Sequence, residues 1–78
     1  MVKVNVENGC YLFKLDDILD DNRISKNKVM RDTNTDFKVL QRIINGELSK
    51  LDVIVIARLC DYFNCNMNDI VEYIPNNN

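Results

Sequence analysis

The sequence predicts an all-α domain of five short helices with a short β-like arm at its N-terminus, and three observations carry that reading. From Leu12 to Ile74 apolar residues recur at three- and four-residue spacing, the helical period, with few long breaks. The breaks hold start and stop signals: Ser25, Asp36 and Asp52 precede apolar runs, and Asn34, Gly46 and Asn64 follow them. Only Val2, Val4 and Val6 alternate with Lys3, Asn5 and Glu7, the period of a strand, and Asn8-Gly9 ends that run.

In chain order, residues 1–10 form the arm. A lone strand leaves its backbone groups unpaired, so the arm must pair with another strand, in this chain or a second copy, or lie on the helices. Leu12, Leu15, Ile18 and Leu19 form one stripe and predict a first helix over 11–21, ending in Asp20-Asp21-Asn22. Ser25 caps a second helix of about 26–32, with Val29 and Met30 inward and Asn34 able to take the left-handed conformation that stops it. Asp36 caps a third helix, 36–45, whose Leu40, Ile43 and Ile44 are buried and which Gly46 terminates. Ser49 and Asp52 compete to cap the fourth, with Asp52 preferred; Val53, Ile56, Leu59, Cys60 and Phe63 mark its core side and Asn64 its end. Asn68-Asp69 open a short fifth helix through Tyr73, and residues 75–78 form a mobile polar tail behind the domain at 11–74.

Composition limits what such a domain does. Seventy-eight residues, 46% apolar and 28% charged with two Gly and one Pro, build one core and exclude disordered or collagen-like classes. Folding at this size buries only about 60–65% of the unfolded surface, which favours a partner subunit. No apolar run approaches the roughly 18 residues of a membrane span, and the start lacks the apolar stretch of a secretory signal, so a cytoplasmic protein without membrane contact is expected. Three cysteines, Cys10, Cys60 and Cys65, and no histidine argue against a zinc site and remove the commonest general base. With no glycine-rich phosphate loop either, neither catalysis, nor a cofactor, nor a small-molecule substrate is expected.

The net charge of −2 hides an uneven distribution. Residues 22–50 hold seven basic and three acidic side chains, a net +4, whereas the remainder holds three basic and nine acidic ones, a net −6. A basic helix pair on an otherwise acidic domain is the footprint of one face meeting phosphate.

The stretch from Ser25 through Val29-Met30-Arg31-Asp32-Thr33-Asn34-Thr35-Asp36 to Ile43-Ile44-Asn45-Gly46 resembles the helix-turn-helix of the Xre/Cro-type phage-repressor family. The likeness continues in Leu59-Cys60-Asp61-Tyr62-Phe63-Asn64-Cys65-Asn66-Met67-Asn68-Asp69-Ile70-Val71, where a core helix ends in a small turn before a short helix, and it covers about 11–74. It implies a five-helix, lambda-repressor-like, all-α DNA-binding domain that regulates transcription, usually as a dimer. Departures are Met30 for a small residue, Asn34 for the turn glycine and Lys26 where the family often has Gln. Leu19 and Ile44 stand where a polar pair often bridges the first and third helices, and they are expected to touch.

In that fold the third helix enters the major groove and the second crosses the backbone. With Leu40 and Ile43 inward, Phe37, Lys38, Gln41 and Arg42 face outward and become the base-reading candidates. Arg42 suits guanine, Gln41 adenine and Phe37 a thymine methyl, while Lys38 reads guanine or only holds phosphate. Lys26, Lys28 and Lys50 are the phosphate candidates on double-stranded DNA. The fourth helix is apolar nearly all round, so Ile54 and Val55, with Tyr73 and Ile74, are candidates for a homodimer interface unless the N-terminal arm covers that side. The alternative function is a helix-turn-helix-fold protein-interaction module, antitoxin-like or an inhibitor, acting through that helix or the Asp16-Asp17-Asp20-Asp21 face.

Overall fold

The structure, a computed structural model, describes residues 1–76. It corrects the expected class: the helices share the domain with a three-stranded antiparallel sheet, so the fold is mixed and not all-α. Strand β1 (Val2–Val6) pairs with β2 (Gly9–Phe13), and β3 (Val71–Pro75) pairs with the far edge of β2. The arm therefore pairs within its own chain, through a hairpin whose two turn residues are Glu7 and Asn8, with Val6 paired to Gly9. Gly9 is required sterically, since a Cβ there would collide with the backbone carbonyl oxygen of Ile74 on the paired strand.

Two expected helices shorten to make room for this sheet. Leu12 and Leu15 fit the helical period, yet Tyr11, Leu12 and Phe13 extend as β2 and helix α1 spans only Leu15–Asp21. The expected fifth helix, continued through Tyr73, stops earlier: α5 spans Met67–Ile70 and Val71 begins β3. Val71, Tyr73 and Ile74 are strand formers, and the open edge of β2 supplies the partners their backbones need. Tyr11 and Tyr73 sit opposite each other with ring centroids 5.2 Å apart. Pro75 ends β3, and the Asn76 amide donates to the Asn8 carbonyl at 2.8 Å. The rest of the expected tail, Asn77 and Asn78, lies outside the described residues.

The central helices follow their local signals: α2 is Lys26–Asp32, α3 Phe37–Asn45 and α4 Val53–Phe63, with a 3-10 turn at Leu48–Lys50. The Ser25 hydroxyl accepts the Lys28 amide at 3.1 Å, Asp36 the Lys38 amide at 2.7 Å, and Asp52 those of Ile54 and Val55 at 3.0 and 3.2 Å. At α5 the cap moves to Asn66, whose amide donates to Asp69 Oδ2 at 2.9 Å.

Helices α1 to α4 all stop the same way. Arg23, Asn34, Gly46 and Asn64 are left-handed. The next amide then reaches back five residues to the helix: Ile24 to Leu19 O, Thr35 to Met30 O, Glu47 to Arg42 O and Cys65 to Cys60 O, at 3.0, 2.9, 3.0 and 3.0 Å. This closure satisfies carbonyls that a helix end leaves open and brings the two linked residues side by side.

One core unites the elements: Phe13, Leu15, Leu19, Val29, Leu40, Ile43, Ile44, Val55, Ile56, Leu59, Ile70 and Val71 are all buried in it, with Val2 and Val4 packed on its edge. Leu19 and Ile44 thus share it. Gly46 has φ 77°, and a Cβ there would meet Val4 Cγ2 at 2.9 Å and Val2 Cγ1 at 3.0 Å, so the sheet sits directly on the end of α3. Val55, expected on the outer side of the fourth helix, faces inward at 5% exposure, and Val53, expected on its core side, is uncovered with Ile54, at 63% and 62%. The reason is the direction of α4, whose Val55, Ile56 and Leu59 form the buried stripe.

Candidate nucleic-acid interface

The segment from Ser25 to Gly46 builds a surface from two short helices and a rigid turn. Asn34, at φ 51°, reverses the chain, and Thr35 behind it is 4% exposed. A buried hydroxyl needs a partner, and Thr35 shares a 2.8 Å hydrogen bond with the Thr33 hydroxyl, which donates to Val29 O at 2.7 Å. Helix α4 braces this turn from behind: Arg58 donates to the Asn34 carbonyl at 3.3 Å, and the Tyr62 hydroxyl donates to Asp32 Oδ2 at 2.5 Å.

Helix α3 then emerges with Leu40, Ile43 and Ile44 buried and its other side open. Phe37 is 45% exposed, Lys38 is exposed, and Gln41 and Arg42 are half-buried. All four expected base readers line one shallow cleft of about 230 Å³, so the structure brings them together. Glu47 lines the same cleft, and sequence reasoning did not single it out. The Gly46 stop carries the signal, because the closure it makes sets Glu47 beside Arg42.

The lysines divide. Lys26 reaches from α2 to α3, its Nζ donating to Gln41 Oε1 at 3.2 Å, while Gln41 Nε2 donates to Asn45 Oδ1 at 2.9 Å. Gln41 is thereby oriented by both neighbours, and Lys26 stands at the edge of the reading side. Lys28 pairs with Asp32 at 2.9 Å on the surface. The Tyr62 hydroxyl, then Lys28, hold the Asp32 carboxyl below its ordinary value, and Asp32 in turn raises Lys28. An exposed pair of this kind is weak and exchangeable, which leaves Lys28 able to turn to a phosphate. Lys50 is exposed in the 3-10 turn beyond the cleft.

The remaining candidates lie elsewhere. Ile54 is on the open start of α4, and Tyr73 and Ile74 are exposed on β3, at 45% and 39%. Among the described residues no group of three or more His, Cys, Asp or Glu side chains is placed to hold a metal, and no helix is long and apolar enough to cross a membrane.

A capped helix with one buried and one basic side, held to a second helix by a left-handed turn, defines a helix-turn-helix DNA-binding domain. The Cro/C1-type HTH DNA-binding domain matches residues 14–76, and the chain belongs to that family. Its fold resembles that of the transcriptional regulator VanUg (crystal form II), with a TM-score of 0.68 at 20% identity, over 96% of this chain and 99% of that one. No curated protein matches the chain.

Proposed function

We propose that the chain is a sequence-specific transcriptional regulator that lays α3 in the major groove of double-stranded DNA and works as a dimer on paired half-sites. The observation that carries this reading is the shared cleft of Phe37, Lys38, Gln41 and Arg42 on the outward side of a helix whose other side is locked in the core. Family membership and the fold shared with a transcriptional regulator support it. Arg42 supplies a fork for guanine, Gln41 an amide for adenine, and Phe37 an apolar contact for a thymine methyl. Lys26, Lys28, Lys38 and Lys50 surround these groups with positive charge for the phosphates. Two copies joined through Val53 and Ile54, with Tyr73 and Ile74, would present two α3 helices to half-sites about 10 base pairs apart.

Selection from a random duplex library at two salt concentrations tests the proposal. An enriched motif whose affinity falls steeply with salt supports it; no enrichment, with salt-insensitive association to a protein, favours the interaction module. Arg42→Ala should weaken the selected site by about 1–3 kcal/mol and relax one base position, whereas Lys28→Ala should weaken all duplexes alike. Equal losses on specific and random DNA would remove Arg42 from the reading set. For the dimer, Ile54→Asp should leave a monomer by sedimentation.

A further inference from the structure

Helix α4 ends at Phe63, and Asn64 follows in the left-handed conformation, φ 52° and ψ 54°. The Cys65 amide donates to the Cys60 carbonyl at 3.0 Å. This closure sets the side chains of its first and sixth residues against each other, ordinarily as an apolar contact. Here both residues are cysteines.

Spacing alone would not pair them. In a continuous helix, residues five apart rise about 7.5 Å along the axis, beyond the separation a disulfide bridges. The reversal at Asn64 removes that rise. Both thiols are free and half-buried at the core edge. The Cys65 thiol is pushed up by burial, by the neighbouring Cys60 and by Asp69. Cys10 stands apart, buried in the central strand opposite Asn5 and Ile74.

We propose that Cys60 and Cys65 form a dithiol site that closes to an intramolecular disulfide when the protein meets a peroxide. The Cys60 thiolate attacks a peroxide oxygen: an S–O bond forms, the O–O bond breaks, and the departing oxygen takes a proton and leaves as water or an alcohol. The Cys65 sulfur then attacks the sulfenic sulfur of Cys60. The S–S bond forms, the S–O bond breaks, and hydroxide leaves as water with the Cys65 proton. Two thiols give up two electrons and the peroxide accepts them; an external dithiol reverses the change. Burial, Cys60 and Asp69 raise the Cys65 thiol and make its thiolate scarcer, so Cys65 is assigned the second attack, which is intramolecular, and not the first. The link pins the last turn of the helix whose Arg58 and Tyr62 brace the helix-turn-helix.

The test uses the full chain in native buffer with hydrogen peroxide, followed by alkylation and tryptic digestion. Leu59–Asn78 contains Cys60 and Cys65 and no basic residue, while Cys10 falls in Val4–Lys14. The Leu59–Asn78 peptide should lose about 2 Da and resist alkylation, with Cys10 still alkylated. The thermal midpoint of the oxidised chain should rise by about 5 °C, because a native-compatible link restricts the unfolded chain. Cys60→Ser and Cys65→Ser should each abolish both changes. Thiols that remain alkylatable, disulfides formed between chains, or a lowered midpoint on closure would each overturn the proposal.

Discussion

Replacing Gly46 by Ala strikes the joint between the reading helix and the sheet. Alanine in the left-handed region costs about 1–2 kcal/mol relative to glycine. Its Cβ would stand 2.9 Å from Val4 Cγ2, 3.0 Å from Val2 Cγ1 and 3.3 Å from Phe13 Cδ1, all closer than carbon atoms pack. Overfilling of this kind adds about 1–3 kcal/mol, and the stiffer unfolded chain returns roughly 0.4–1 kcal/mol. The net loss is about 2–4 kcal/mol, a large part of the stability of a domain this small. Urea unfolding followed by circular dichroism measures it as a midpoint lowered by about 2–4 M at an m-value near 1 kcal/mol/M. Val4→Ala in the same chain removes the nearest contact, so the double variant should be more stable than the sum of the single losses by about 0.5 kcal/mol or more. A Gly46→Ala loss below about 0.5 kcal/mol, or strict additivity with Val4→Ala, would refute the claim that this approach is tight.

Three further outcomes are expected. Arg23 is left-handed at φ 54° and exposed, so Arg23→Gly should raise stability by about 0.5–1 kcal/mol in the same unfolding assay; a loss would show that its side chain matters more than its backbone. Asp36→Ala removes the acceptor of the Lys38 amide at the start of α3 and should cost about 0.5–2 kcal/mol, with Asp36→Ser recovering most of it. Because the Tyr62 hydroxyl and Lys28 hold the Asp32 carboxyl below its ordinary value, ionised Asp32 stabilises the fold at neutral pH, and acid removes that contribution as pH falls through its lowered value. In Tyr62→Phe, carbon NMR titration should find the Asp32 carboxyl moved upward; an unchanged titration would remove the hydroxyl as its main support.

What was legible in the sequence was local. Ser25, Asp36 and Asp52 cap as expected, and Asn34, Gly46 and Asn64 stop their helices, because each acts on backbone groups two to five residues away. The outward side of α3 followed from its period for the same reason. What failed was non-local. Tyr11-Leu12-Phe13 carries helical and extended signals at once, and Val71 through Pro75, nearly sixty residues further on, tips the balance by pairing with it. No helical period reports that Lys26 reaches Gln41, or that Arg58 and Tyr62 hold the turn, since those contacts depend on how helices cross. Val55 illustrates the limit within one helix: four consecutive apolar residues, Val53 to Ile56, leave the inward direction open until packing chooses it.

The pairing of β2 with β3 also sets an order of events. Helices α2 to α4 close through neighbours in the chain, on the timescale of local contacts, whereas the sheet waits for a loop of almost the whole domain to shut, a step delayed by its entropy. During synthesis β3 is the last of these elements to be made, so the hairpin spends that interval with the β2 edge bare as well as that of β1, ready to accept any passing extended strand. The hazard in this molecule's life is therefore concentrated before its final five-residue strand arrives, and cutting that strand away would make the interval permanent.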